Sequence, residues 1–258
     1  MRLRGKDAAV KRAFERLLFE VSKIERRELK EKVKELLLNP APTFMERYLS
    51  QNAKDNLQKK LAKAGFIEPE GVLFLPPTDE PGIPLQSFCS APGSRCRHHC
   101  YPGGLSVHTA LAVAVGTNLA SAYEDIYEIE VNKDALVAAV SLHDVSKSFV
   151  LLWGKGGALL PEGRIAGTWA HHVYTLAELF HREFDPFVIE IAACTHENPC
   201  KREDIIIAFI RAAALIAEID PIKYGVLREF RQGTLKLCHS GALELWLAYL
   251  SDRSPTSR

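Results

Sequence analysis

No run of apolar residues in this chain approaches the roughly 20 needed to cross a bilayer. No apolar segment follows the basic start at Arg2, Arg4 and Lys6 either, so a secretory leader and a membrane partner are not expected. Cysteine is too thinly spread for a disulfide framework: six residues across 258, in a chain long enough to bury its own core. They read as reduced thiols in a cytoplasmic protein. Strand–helix alternation is missing, which sets aside Rossmann-type and P-loop folds. Gly154-Lys155-Gly156-Gly157 lacks both the preceding strand and the Lys-Ser/Thr ending of a phosphate loop.

Net charge is almost absent, at +1, but it is unevenly placed. Residues 1–63 hold 17 Lys and Arg against 9 Asp and Glu, and the remainder is acidic by nearly as much. Such a split fits a basic module that meets a phosphate-bearing partner, or a solvated helix face docked on an acidic domain.

What is present is helical periodicity. Val10, Phe14, Leu17, Leu18, Val21 and Ile24, then Val33, Leu36 and Leu37, predict one helix over 6–38, stopped by Asn39-Pro40-Ala41-Pro42. Thr43 with Glu46 reads as a capping box for a second helix that breaks near Ser50 and ends at Gly65. A short hairpin is expected over 66–75, making the basic region either winged-helix-like or a plain helical module. Further helices are expected over 105–123, 133–146, 166–183, 186–195, 202–219 and 241–250. The fold class is therefore all-α, a helical bundle. The expected organisation is a basic N-terminal region over 1–75, a Pro/Gly/Ser-rich linker over 76–95, a main domain over 96–252 and a tail over 253–258.

The polar residues fall at helix ends. His108 lies one turn into a helix after Pro102-Gly103-Gly104. His143 and Asp144 close an apolar helix, His171 and His172 sit on the next long one, His196 ends another, and Asp220 stands before Pro221. Histidines and carboxylates projecting from core helices can build a metal site, and an unpaired aspartate in an apolar setting favours a cation. Taken singly, Asp220 also suits a helix-to-turn position, and His196 suits the last carbonyls of its helix.

The run His98-His99-Cys100-Tyr101-Pro102-Gly103-Gly104-Leu105-Ser106-Val107-His108-Thr109, followed by His143-Asp144-Val145-Ser146-Lys147 and Asp220, resembles the H…HD…D signature of the HD-domain metal-dependent phosphohydrolases. It is more similar still to the HD domain of bacterial 3′–5′ exoribonucleases. The resemblance covers about residues 98–220. It implies that His108, His143, Asp144 and Asp220 hold one metal, and that His172 and His196 hold a second, bridged by Asp144. His171 and His172 point about 100° apart on a helix, so one of them faces the site, and His172 fits the family's helix better. Two departures stand out. Those relatives show His-His-Gly where this chain has His196-Glu197-Asn198, and Gly where it has Ser146. No OB-fold is readable ahead of the domain, so their RNA-handling module is missing or replaced.

The implied chemistry is hydrolysis of a phosphomonoester or phosphodiester, in a nucleotide or nucleic acid, by hydroxide on one or two divalent transition metals. Mixed imidazole and carboxylate ligands favour Fe, Mn, Co, Ni or Zn over Ca and leave Mg open. Asp144 and Lys147 are the expected catalytic residues. Lys147, His98 and His99 are the expected contacts to substrate phosphate, with surface roles as their plainer alternative. A reading of another class is a catalytically inactive sensor or scaffold that binds nucleotide or metal. Cys89, Cys96 and Cys100, spaced C-x6-C-x3-C beside His98 and His99, depart from usual zinc spacing and read as thiols. The stripe Leu243, Leu247, Leu250 serves equally as core or as an oligomer interface.

Overall fold

The computed structural model describes residues 6–95, 98–231 and 233–253. Cys96, the start at 1–5 and the expected tail beyond Arg253 lie outside the described residues. The chain is an all-α bundle with two short strand pairs.

Two helices replace the single one expected over 6–38: α1 (Lys6–Ser22) and α2 (Arg27–Leu38). The break has a specific cause. The Asp134 carboxylate accepts hydrogen bonds from the backbone N–H groups of Glu25 and Arg26 at 2.9–3.1 Å. These donors are drawn out of the helical ladder while Ile24 stays buried. The stop after Leu38 holds. Thr43 does not cap through Glu46. It opens a 3-10 helix, Thr43–Tyr48, and its hydroxyl bonds the buried Glu178 carboxylate at 2.5 Å. Ser50 caps α3 (Gln51–Lys63), accepting from Ala53 N–H at 3.2 Å, and Gly65 follows with φ 74°.

Residues 66–75 form no strand, so the winged-helix reading falls away. The segment is held by single bonds instead: Ala166 N–H to the Phe66 carbonyl, and the Tyr174 hydroxyl to the Phe74 carbonyl. Residues 76–95 lie against the bundle, with Phe88 and Ala91 buried and Trp153 Nε1 donating to the Ser90 carbonyl at 3.1 Å.

Next come α4 (Gly104–Tyr127), α5 (Lys133–Leu142) and the single turn α6 (Lys147–Val150). The expected helix over 133–146 stops at Leu142, because 143–146 is a tight turn. The strands β1 (Arg164–Ile165) and β2 (Thr168–Trp169) pair antiparallel, reversing the chain at Ala166 and Gly167, both with positive φ. That hairpin delays α7 to Ala170–His181. Then follow α8 (Pro186–Ala193), α9 (Glu203–Ala217), the pair β3 (Leu227–Glu229) and β4 (Leu235–Leu237), and α10 (Leu243–Arg253).

One buried core runs from Leu17 on α1 to Ala248 on α10, so the basic N-terminal helices share it with the rest. Helix α4 is long and apolar enough to cross a membrane by length and composition, contrary to the reading of the bare sequence. Half of its apolar window is buried inside the bundle, however, where α1, α5 and α10 pack against it.

Candidate metal centre

The residues that meet at the centre come from three helices and two turns. His108 projects from the second turn of α4. His143 and Asp144 occupy the turn where α5 ends, so one reversal of backbone delivers a nitrogen and a carboxylate together. Asp252 comes from the last turn of α10.

His108 Nε2 lies 3.3 Å from His143 Nε2, 3.2 Å from Asp144 Oδ2 and 3.1 Å from Asp252 Oδ1. His143 Nε2 lies 3.3 Å from Asp144 Oδ2 and 3.2 Å from Asp252 Oδ1. Five of the six separations in this quartet thus span 3.1–3.3 Å. A tetrahedron of that edge has its centre about 2.0 Å from each corner, a normal length for a Zn–N or Zn–O bond.

The tautomer agrees. His143 Nδ1–H donates to the Val140 carbonyl at 2.8 Å, which leaves the Nε2 lone pair facing the other ligands. A cation in their midst would relieve the crowding of lone pairs and carboxylates. Without one, the charge balance is shifted strongly. Burial presses the His143 pKa down, but Asp144 and Asp252 carry it up to about 10. Burial likewise works to raise both aspartates, yet Lys147 and His143 hold Asp144, and His108 and His143 hold Asp252, well below the usual carboxylate range.

The second oxygen of Asp144 faces a second group. Oδ1 is buried without a hydrogen-bond partner, 3.5 Å from His171 Nε2 and 3.4 Å from His196 Nε2. Glu162 orients His171: its Oε1 accepts from the His171 ring Nδ1 at 2.6 Å and from the His171 backbone N–H at 2.8 Å. The same carboxylate caps the start of α7 and turns the Nε2 lone pair towards Asp144. Two metal-competent groups therefore share Asp144: His108, His143, Asp144 and Asp252, and Asp144, His171 and His196.

Two expected ligands lie elsewhere. Asp220 is exposed, and its Oδ1 accepts from the backbone N–H groups of Ile222 and Lys223, a turn-capping role. His172 joins no metal-competent group among the described residues. Its ring lies tilted against His196, centroids 4.2 Å apart, and meets Phe209 edge-on at 4.8 Å, with both nitrogens buried and unpartnered. Burial and the neighbouring His196 hold its pKa well below the usual value, so it is neutral. Asp252 and Glu162 were not singled out in the sequence, and of the pair left open there, His171 rather than the preferred His172 lies near Asp144.

Lys147 is buried rather than a surface lysine. Its ammonium donates to Asp144 Oδ2 and to the Gly93 carbonyl at 2.7 Å. Ser146, the departure from glycine, is used: its hydroxyl donates to the His171 carbonyl and accepts from Thr175 at 2.9 Å, tying the His143-Asp144 turn to α7. His98 and His99 stand half-buried beside His108, their Nδ1 atoms 3.2 Å apart. Burial and His108 lower both pKa values, that of His99 to about 4, so neither ring is charged at neutral pH. Among the described residues no cysteine joins a metal-competent group.

A cleft of about 810 Å³ lies elsewhere, between the α1–α2 turn and the start of α5. Of the acids that line it, Glu20, Asp134 and Glu244 are engaged in structural bonds.

No protein-family profile matches the chain, and no solved structure does. The chain is 33% identical over 106 residues to dihydroneopterin 2′,3′-cyclic phosphate phosphodiesterase of Methanocaldococcus jannaschii. The match covers 41% of this chain and 42% of that protein, so the chain spans less than half of the relative's length.

Proposed function

We propose that the chain is a metal-dependent phosphohydrolase that cleaves a phosphodiester of a nucleotide or nucleic acid. The observation that carries the reading is the sharing of Asp144: one oxygen joins the tight quartet, and the other faces two imidazoles. This donor set fits two transition ions bridged by one carboxylate. The similarity to a cyclic phosphate phosphodiesterase and the resemblance to HD-domain phosphohydrolases support the same reading.

Bound there, divalent metals would supply hydroxide at neutral pH and neutralise the phosphoryl oxygens of an in-line displacement. The chain's own residues prepare that chemistry. Lys147 keeps Asp144 ionised, and Val140 and Glu162 fix the lone pairs of His143 and His171. Buried surroundings strengthen each of these interactions. Elsewhere on α10, Trp246 is stacked on Tyr249 at 5.4 Å, with the Arg253 guanidinium 4.9 Å from the Tyr249 ring. Such a surface suits a heteroaromatic base.

The test is turnover of bis-p-nitrophenyl phosphate and 2′,3′-cyclic nucleotides after loading with Mn or Fe, for the native chain and Asp144→Asn. Native turnover should fall by about 10²-fold or more in the variant. No turnover with any metal, or an unaffected variant, would overturn the reading.

A further inference from the structure

We infer that His98, His99 and His108 form an additional transition-metal site beside the bridged pair. A ring nitrogen from each of the three lies within 4.8 Å of the others.

The arrangement is built rather than incidental. Side chains of successive residues ordinarily diverge, yet these two Nδ1 atoms are 3.2 Å apart. The convergence requires His99 in the left-handed region, at φ 53°, which disfavours a residue bearing a side chain. The loop is clamped to hold it. Gly93 N–H donates to the His99 carbonyl at 2.8 Å, and the Ser94 hydroxyl donates to the His98 carbonyl at 2.5 Å. Gly104 allows the closest approach: a Cβ there would stand 1.9 Å from the His99 carbonyl oxygen. A second observation points to a ligand. His108 is buried, and its Nδ1 has no hydrogen-bond partner, whereas His143 and His171 each have theirs.

The donor set also differs from the two groups around Asp144, because it holds three imidazoles and no carboxylate. Because His108 Nε2 belongs to the quartet, His108 would reach this ion through Nδ1 as an imidazolate, its ring proton released to solvent on metal binding. Nitrogen donors select Ni, Zn, Cu or Co over Mg, Mn or Ca. Three protein ligands leave a coordination position for water or a substrate oxygen. His98 and His99 then reach a phosphate through an ion rather than by direct contact.

The test is metal content per chain by elemental analysis, on untagged protein loaded with Ni and freed of loose ions. The native chain should hold one more Ni than His98→Ala/His99→Ala. Circular dichroism checks folding, and the His98→Gln/His99→Gln pair replaces the alanines if they misfold. Equal Ni content in native and variant chains would overturn the inference. Asp144→Asn separates it from the proposed function: loss of ions there tests the bridged pair, and the His98/His99 difference is read independently.

Discussion

Asp144 is asked to serve two neighbours with one carboxylate, and every residue around it is arranged to make that tolerable. Lys147 lies within hydrogen-bond reach of Oδ2, while His171 and His196 face Oδ1. Glu162 matters because an imidazole binds metal through only the nitrogen left unprotonated, and Glu162 decides which one that is at His171. Glu162→Gln should therefore weaken binding of the ion facing Asp144 Oδ1 by about 10- to 100-fold, with the quartet ion retained. Competition with a chromogenic chelator measures both affinities, and equal affinities in the two proteins would exclude an orienting role. Which of His171 and His172 faces Asp144 was not legible in the sequence for a physical reason. Helix α7 is buried from Ala170 to Phe180, so it carries no polar face to set its rotation. His171 and His172 are then equivalent until tertiary contacts choose between them. That His108, His143 and Asp144 meet was legible from the joint pattern of the run over 98–109 and the later His143-Asp144 pair, the bare pair being a weak signal by itself.

At the scale of elements, the sequence marks helices well and their ends poorly. Asp220 looked like a ligand because it ends an apolar helix before a proline, but the turn itself consumes its oxygen. Asp252 was overlooked because α10 was expected to stop at 250, whereas it runs through Arg253. The signal was present: Asp252 falls four residues after Ala248 and seven after Leu245, on the buried stripe of α10. Close packing of α10 on α4 then brings it to His108. Gly116 permits that approach, since a Cβ there would lie 2.6 Å from Ser251 Oγ, next to Asp252. Gly116→Val should lever the two helices apart, costing about 1–3 kcal/mol of stability and one bound ion per chain. Thermal unfolding and elemental analysis measure the two effects. Full metal content in the variant would show that this contact does not set Asp252. The α1–α2 break was equally invisible, because its cause, Asp134, is more than a hundred residues away.

For the whole molecule, the charge asymmetry of the chain becomes packing. The basic N-terminal helices lie in the common core, and Arg26, Arg47 and Lys60 pair with acids further along, Asp185 for the first and Glu218 for the other two. The buried cluster of His143, Asp144 and Asp252 adds a pH dependence to the stability of this body. In the metal-free chain the His143 pKa is raised to about 10. The raised value contributes stability that is complete below about 6.5, the ordinary histidine value, and is lost as pH climbs through about 10. A bound ion must displace that proton, so its affinity increases over the same interval. Both effects widen the gap in melting temperature between metal-loaded and chelated protein as pH rises from 6.5 towards 9. Melting curves in matched buffers check this, and a gap that narrows would contradict the assignment of His143 as a ligand.

The placement of Asp252 in the last turn of α10 has a consequence for how the chain holds together. Helix ends fray readily, and the final turn has the fewest neighbours to restrain it. An ion held by the quartet would join that turn to His108, 144 positions earlier. Such a metal would act as a reversible cross-link closing more than half of the polypeptide into a loop. The same ion that would ready water for reaction would also report whether the chain has finished folding: until α10 docks, the quartet lacks Asp252.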